Sequence, residues 1–494
     1  MVRFQRIRLA VLVGMLFLSS GIVRAEAVPL PVEQAVDART IAIDLRGAQV
    51  DVQIEPGAES TIRIDDLNEG EDTEGFVLFS LEGERLTVGQ PLGDESVAPP
   101  VSVAITLGGS ERLVIEGREI AIRMVDVREE LDESELALLG EESMMDAAKA
   151  RRRGGVASRF MIDTDDSEIT LERVGGGQLS GESNRLVLEG CRGPFIFNED
   201  HGTVDVSGHW GSLHLRGKES QFAVSGGQTI IDLLLDGGEL RLAQGGGSVK
   251  GRLNGASADI EEWAGGMRFE GSDSRFDIRL SATEEDQLYI KGENQDVNIK
   301  EHGGALDLDL TAGRVSVEGV AGRVEIHARD NTEIEMQSLD QPVNLDLSEG
   351  VVATVRDAED KLRATIKGGE FHGRALQSAN LRLTDAIASV REVTGKVKVE
   401  ATDSRVDLDL SVPRSRPELS LKGASVGRVL LSSPCWVRLS GNAQNAGEKV
   451  QTSGCELLTR TMNRRPSLAV RGQPAPITLL TNVGDDSHLE VWSK

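Results

Sequence analysis

Residues 203–225 read TVDVSGHWGSLHLRGKESQFAVS and contain the unit that decides the fold. Three short runs of alternating apolar and polar residues begin nine residues apart, at Thr203, Ser212 and Gln221, and Gly- and Ser-rich corners separate them. Alternation with a period of two is typical of β-strands. A unit repeated at such a short and fixed interval indicates a coiled array of strands rather than an ordinary globular domain.

The unit continues through the middle of the chain. Further equivalent positions are Ile230, Glu239, Ser248, Ser257 and, after a slip in spacing, Asp296, Ala305, Arg314 and Arg323. Two units per coil predict about 13 coils and a rod about 60 Å long, and three units predict a rod of about 40 Å. We favour two, because the resulting narrow interior suits a chain with only 3% aromatic residues.

The alternation predicts which side chains point into the core. The predicted inward pairs are Val204/Val206, Leu213/Leu215, Phe222/Val224, Val315/Val317 and Val324/Ile326, and the predicted outward residues between them are Asp205, His214, Ala223, Ser316 and Glu325. A slip of one residue would turn every apolar side chain outward, so this pattern specifies the register of each strand.

The chain divides into five segments. Residues 1–25 read as a secretory signal peptide, with a basic start, an apolar stretch and a small-residue cleavage site. Residues 26–127 form an N-terminal β segment or cap with irregularly spaced strands. Residues 128–155 lack alternation and run from acidic to basic, which predicts a helical insertion ended by Gly154 and Gly155. Residues 156–412 hold the solenoid repeats, and residues 413–494 form a C-terminal coil and cap.

The charge and the signal segment bear on partners and location. With 81 acidic and 54 basic residues the formal net charge is −27, which disfavours nucleic acid and anionic membranes as partners. The signal segment predicts export to the periplasm, the cell surface or the medium. No other apolar run reaches the length of a membrane span, so we expect a soluble mature chain.

Three cysteines are present, and they suggest one disulfide. Cys435 and Cys455 flank a loop rich in Gly, Asn and Ser, and we predict that they pair in an oxidising compartment. Cys191 is the odd cysteine, which we interpret as a buried and inert thiol.

Two stretches carry a resemblance to a known family. PPVSVAITLGGSERLVIEG at residues 99–117 and LDLDLTAGRVSVEGVAGRVEIHA at residues 306–328 resemble the bacterial adhesin β-strand-repeat proteins related to the head GIN domain. The resemblance covers about residues 40–127 and 156–412. It implies export and a single-sheet-repeat β-helix, and it supplies no catalytic residues. The insertion at residues 128–155 departs from the family's uninterrupted array.

Acidic and imidazole side chains are the candidates for chemistry. Acids recur in groups at Asp163/Asp165/Asp166, Asp273/Asp277, Asp307/Asp309 and Asp407/Asp409. Stacked on a solenoid, they would bind Ca²⁺ or act as an acid and base on a polysaccharide, and the simpler interpretation is solvent-facing charge. His201, His209 and His214 match no standard zinc spacing, and we interpret them as scattered surface groups.

These observations favour a non-enzymatic exported solenoid that acts as a cell-envelope scaffold or an adhesin-like binding surface. No nucleophile elbow, phosphate-binding loop or zinc-protease motif occurs, so we predict no catalytic, cofactor or metal residues. The expected partner is a protein or glycan of the cell envelope. The alternatives are a polysaccharide lyase or hydrolase of the β-helix type, and a periplasmic assembly or signalling accessory that docks through the helical insertion.

Overall fold

The computed structural model describes residues 26–36, 38–54, 58–66, 76–82, 85–89, 101–107, 112–126, 160–279, 286–410, 416–432, 435–439, 449–458, 477–484 and 486–493. Every regular element assigned within these ranges is a β-strand, and there are 39 of them. The predicted signal peptide at residues 1–25 lies outside the described residues, and so does the whole of the predicted helical insertion at residues 128–155, since residues 127–159 are not described.

The strands fall into three groups along the chain. The N-terminal group is β1 (Glu26–Pro29), β2 (Val32–Ala35), β3 (Thr40–Arg46), β4 (Gln49–Ile54), β5 (Thr61–Asp66), β6 (Phe76–Glu82), β7 (Arg85–Gly89), β8 (Val101–Leu107), β9 (Arg112–Arg118) and β10 (Ala121–Asp126). The central group is β11 (Phe160–Asp165), β12 (Glu168–Glu172), β13 (Gly175–Glu182), β14 (Arg185–Glu189), β15 (Arg192–Asp200), β16 (Thr203–Ser207), β17 (Trp210–Ser225), β18 (Gln228–Ala243), β19 (Val249–Asn254), β20 (Ser257–Glu261), β21 (Met267–Ser272), β22 (Arg275–Arg279), β23 (Gln287–His302), β24 (Ala305–Val320), β25 (Val324–Arg329), β26 (Glu333–Leu339), β27 (Val343–Ser348), β28 (Val352–Lys367), β29 (Glu370–Thr384), β30 (Ile387–Arg391), β31 (Lys396–Thr402) and β32 (Arg405–Leu410). The C-terminal group is β33 (Arg416–Lys422), β34 (Val426–Leu431), β35 (Cys435–Leu439), β36 (Val450–Ser453), β37 (Glu456–Leu458), β38 (Ile477–Val483) and β39 (His488–Ser493).

The chain coils into a parallel β-solenoid of about 14 turns. In one column Val204 lies opposite Phe222, and Phe222 lies opposite Leu240 in the next coil. The interval is therefore 18 residues, so two nine-residue units make one coil, and alternate units lie on two opposite sheets. The predicted solenoid with two units per coil is confirmed.

We call the two sheets wall 1 and wall 2. Wall 1 contains β11, β13, β15, β19, β21, β25, β27, β31, β33, β35, β37 and β38, the first halves of β17, β18, β23 and β24, and the second halves of β28 and β29. Wall 2 contains the strands and half-strands that alternate with these, from β12 to β39. The 15- and 16-residue strands belong to both walls because they continue around a corner.

The core is one continuous layer between the two walls. From wall 1, Leu213 and Leu215 point inward, and from wall 2 Phe222 and Val224 do so, each at most 1% exposed. Burying an aliphatic or aromatic side chain to this extent contributes about 1.5–3 kcal/mol. The predicted inward and outward residues alternate as expected, and the largest side chains, among them Trp263 and Phe269, are fully buried.

The corner from wall 1 to wall 2 has a repeating local structure. Asp166, Ser183 and Glu219 adopt left-handed backbone conformations there, with φ between 51° and 60°. The next residue points inward and is often small and polar, as at Ser167 and Ser220, which donate hydrogen bonds to nearby carbonyls. These two carbonyls, of Asp165 and Lys218, also accept a backbone hydrogen bond from the preceding coil, so the serine hydroxyl adds a second one at the corner.

The N-terminal end of the stack changes from parallel to antiparallel pairing. β3 and β4 form a coil beneath β9 and β10, and β7 and β8 pair with β3 and β4 on the outer side. Beyond them β6 and β1 extend wall 1, and β5 and β2 extend wall 2, all antiparallel. The stack thus ends in strands of only four residues, and a short edge strand offers little for another chain to pair with.

At the C-terminal end the last strands of the chain lie inside the stack. β38 pairs with β33 on one side and with β35 on the other, and β39 lies between β34 and β36. The predicted disulfide between Cys435 and Cys455 is present, with the two Cα atoms 4.9 Å apart. It joins two successive coils, because β35 pairs in parallel with β37, which follows Cys455 directly.

Candidate binding surface

The outward side chains of wall 1 form straight columns along the stack. One column runs from Arg216 through Leu234, Arg252 and Glu270 to Lys291, each residue in register with the next. Neighbouring coils in a sheet lie about 4.8 Å apart, so the five positions extend about 19 Å. The parallel register therefore brings side chains that are distant in sequence onto one flat surface.

The two central columns of these five coils form a region that we call the basic band. Its members are His214, Arg216, Asp232, Leu234, Lys250, Arg252, Arg268, Glu270, Tyr289 and Lys291. Five of the ten are lysine or arginine and only two are acidic, in a chain whose net charge is −27. The band therefore carries a net positive charge on a protein that is negative overall.

Two of its arginines are available for a ligand. Arg216 and Arg252 are exposed, and neither forms an ion pair or a side-chain hydrogen bond with any residue that the structure describes. Arg268 is held instead, because its guanidinium pairs with Glu270 at 2.6 Å and lies 4.2 Å from the centre of the Tyr289 ring. The Arg268 contact lowers the pKa of the Glu270 carboxyl, so this acid stays ionised within the band.

A groove of about 190 Å³ crosses the band. Its lining residues are Asp232, Leu233, Lys250, Gly251, Arg252, Arg268 and Glu270. Gly251 points inward where the neighbouring coils carry Leu233 and Phe269, and a Cβ atom at this position would lie 3.0 Å from the Phe269 ring. Between the cations, Leu234 is 45% exposed and presents an apolar side chain to solvent.

The next three coils of the same columns carry the opposite charge. This acidic band consists of Asp307, Asp309, Glu325, His327, Asn344 and Asp346. Burial raises the pKa of the Asp307 carboxyl, and the nearby Glu325 carboxylate raises it further. Lys291 joins the two bands through an ion pair with Asp309 at 2.7 Å. Charge on wall 1 is therefore segregated along the axis.

Wall 2 carries a second cationic column near the C-terminal end. Arg356, Arg374 and Arg391 lie in register on three successive coils, and all three are exposed. Arg374 pairs with Glu392 at 3.1 Å. At the opposite edge of wall 2, where β30, β32 and β34 begin, an open groove of about 560 Å³ is lined by residues that include Ile387 and Val426, which are 41% and 37% exposed.

The acids singled out in the sequence do not converge on one place. Asp163, Asp165, Asp307 and Asp309 are on wall 1, Asp277, Asp407 and Asp409 are on wall 2, and Asp166 and Asp273 are at corners. Several contact polar neighbours in the same or the next coil, as Asp163 does with Ser180 at 2.9 Å. Within the described ranges, no three His, Cys, Asp or Glu side chains are grouped to hold a metal ion.

The three histidines also lie apart, and the surface prediction was wrong for one of them. His201 is exposed at a corner between Glu182 and Glu219, and His214 is on wall 1 beside Asp232. His209 is 0% exposed because the residue after the left-handed corner position points inward. Burial lowers the pKa of its ring to about 4, and neither ring nitrogen makes a hydrogen bond of good geometry within the described residues.

One column contains both His209 and Cys191, on adjacent coils. Cys191 is fully buried, as predicted, and burial raises the pKa of its thiol to about 12. A thiol with such a pKa holds almost no thiolate at neutral pH, so it is a poor nucleophile.

Sequence reasoning missed a buried polar cluster around Glu199. This carboxylate is 2% exposed and accepts hydrogen bonds from the backbone and side chain of Asn184. Burial raises its pKa, and the Asn184 contacts oppose that effect. The alternation itself contained the signal, since Phe195, Phe197 and Glu199 share one parity along β15.

Comparisons with protein-family models, with curated proteins and with solved structures found no match. Among the described residues, no helix is long and apolar enough to cross a membrane.

Proposed function

We propose that this protein is an exported, non-enzymatic solenoid whose walls act as a binding surface at the cell envelope, as a scaffold or in an adhesin-like role. The observation that supports the proposal is the segregation of charge along wall 1, from the basic band to the acidic band. A ligand long enough to follow the axis would contact many equivalent positions at once.

Affinity on such a surface comes from the sum of many weak contacts. Exposed ion pairs contribute about 0–1 kcal/mol each, so several coils must act together to give useful binding. Linked contacts of this kind raise the overall affinity well above that of any single contact. The rigid spacing of the coils favours a repetitive partner, such as a glycan or a repetitive envelope protein.

The disulfide between Cys435 and Cys455 is compatible with export, because disulfides persist in oxidising compartments. Fractionation of cells that express the full chain with a C-terminal tag tests this part of the proposal. We expect the protein in the envelope or periplasmic fraction, with the bond oxidised and the residues before Glu26 removed. A cytosolic protein with an intact N-terminus would contradict export.

A deletion of whole coils tests the distributed surface. Removing residues 306–342 joins Ala305 to Val343, which occupies the same register position as Leu306 two coils earlier. We expect a folded rod that is about 10 Å shorter in small-angle scattering. Retention on an isolated envelope fraction should then fall by a small factor. Complete loss of retention, with the rod still folded, would show one local site instead.

A further inference from the structure

We propose that the basic band on wall 1 binds an acidic polysaccharide laid along the solenoid axis. The inference rests on the proposed function and names the ligand class of that surface. It starts from Arg216 and Arg252, two exposed arginines of the band that form no ion pair with any described residue.

The spacing of the band suits a chain of sugars. Arg216 and Arg252 are two coils apart in one column, about 10 Å, and Lys250 lies beside Arg252 in the neighbouring column. One coil is comparable in length to one pyranose unit of an extended glycan. Carboxylates or sulfates on alternate sugars would therefore meet the two arginines, which bind such groups in a bidentate manner.

The groups between the cations suit the rest of a sugar. Leu234 is 45% exposed between the two arginines and offers an apolar surface to the C–H face of a ring. Asp232 and Glu270 line the groove and accept hydrogen bonds from hydroxyl groups. Arg268 is fixed in position between Glu270 and Tyr289, so it loses little rotamer freedom when a ligand binds.

The surroundings disfavour the other polyanions. Asp163 and Asp165 precede the band on wall 1, and the acidic band follows it. Nucleic acids and anionic membranes carry dense charge over a wide area, so they would contact these acids as well as the cations. A single acidic glycan strand is narrow, and its charges are diluted by hydroxyl groups.

The test is binding of the full chain to polygalacturonate, measured by calorimetry or biolayer interferometry at low and high salt. The variant is Arg216→Glu/Arg252→Glu. The matched control is Arg241→Glu/Arg275→Glu, which makes the same charge change on exposed arginines of wall 2, in β18 and β22. Circular dichroism and melting of each variant show whether it is folded.

We expect salt-sensitive binding to polygalacturonate and a loss of about tenfold or more in the Arg216/Arg252 variant, because two charge-assisted contacts become repulsive. The control variant should lose less than about threefold, as expected for a long-range charge effect. Fully methyl-esterified polygalacturonate should not bind. Wild-type protein that binds no acidic glycan, or equal losses in both variants, would overturn the inference.

Additional measurements distinguish the polysaccharide from other ligand classes, and distinguish failure of this inference from failure of the proposed function. Tighter binding to single-stranded oligothymidylate or to phosphatidylglycerol vesicles than to the glycan would overturn the assignment to a polysaccharide. Unchanged retention of the Arg216/Arg252 variant on an envelope fraction would overturn the band as the binding site while leaving the proposed function standing. Loss of retention by all proteins, wild type included, would contradict the proposed function itself.

Discussion

Asn184 holds the carboxylate of Glu199 inside the solenoid, through its backbone amide at 2.8 Å and its side-chain amide at 3.0 Å. The two residues are 15 positions apart and meet because Asn184 occupies the corner position on the coil next to that of Glu199. Asn184 also accepts a hydrogen bond from the backbone of Ser167 at 2.9 Å. One side chain therefore connects three successive coils.

Replacing Asn184 with Ala should destabilise the first coils after β10. It removes the side-chain donor to the buried Glu199 carboxylate, which keeps only the backbone donor, and it leaves the backbone amide of Ser167 without its acceptor. The two losses cost about 2–4 kcal/mol together. Hydrogen exchange should show the loss at β11–β16 more than at β25–β32, because a solenoid opens locally. The control is Asn198→Ala, a half-buried outward position on wall 1. Equal effects of the two changes would contradict the structural role of Asn184.

Folding stability should fall as the pH drops from about 6.5 to about 4 because of His209. Burial lowers the pKa of the folded-state ring to about 4, whereas an unfolded histidine titrates near 6.5, so the unfolded state takes up the proton first. The loss from this group should reach about 3 kcal/mol at the lower end of the window. Denaturant unfolding between pH 7 and pH 4 measures it.

His209→Leu should remove that dependence, and His201→Leu, at an exposed corner, should retain it. The raised pKa of Glu199 acts in the opposite direction, since protonation of that carboxyl favours the folded state. The difference between wild type and His209→Leu cancels this contribution. If the free energy of unfolding changes with pH in the same way for wild type and His209→Leu, His209 does not take up a proton when the protein unfolds.

Removing the disulfide should loosen the C-terminal end of the stack. The Cys435→Ser/Cys455→Ser variant opens a loop closed over 20 residues, a closure that stabilises by about 3 kcal/mol in the chain-entropy model. β38 and β39 should exchange amide hydrogen faster, because β35 and β36 cover them. Cys191→Ala is the thiol control and should leave this end unchanged. Faster amide exchange confined to β11–β16 would contradict a role of the disulfide in stabilising the C-terminal end.

Engineered cysteines can verify the 18-residue coil. Ser207 and Ser225 are exposed and lie opposite each other on adjacent coils of wall 2. Ser207→Cys/Ser225→Cys should cross-link on mild oxidation, because neighbouring strands are within disulfide reach. Ser207→Cys/Arg216→Cys, nine residues apart, places the thiols on opposite walls and should stay reduced. Mass spectrometry of digests distinguishes the two results, and the reverse pattern would exclude two units per coil.

The burial of individual residues was largely predictable. Alternation alone identified Leu213, Leu215, Phe222 and Val224 as core, because a strand turns successive side chains to opposite faces. The same alternation places Glu199 in the core, but a charged residue is normally expected on the surface. His209 was misassigned for a different reason: a left-handed corner residue reverses the alternation, and the sequence does not mark where this happens.

The basic band was not predictable, because columns depend on sums of coil lengths. From Arg216 to Lys291 the intervals are 18, 18, 18 and 21 residues, through Leu234, Arg252 and Glu270. One misjudged interval shifts every later residue out of its column. The slip in spacing after Ser257 is visible in the sequence, but the residues that absorb it are not.

The residues alone predict the fold class of this protein, its nine-residue unit, the facing of most strand residues and the pairing of Cys435 with Cys455. These features are local, since they follow from the two-residue period of a strand and from composition. The three-dimensional fold is needed to learn which coils are neighbours, which charges share a wall, and that the last strands of the chain lie inside the stack. Those features depend on strand pairing between segments that are distant in sequence. Strands pair through backbone groups, which are the same in nearly every residue, so the sequence does not show which strands pair.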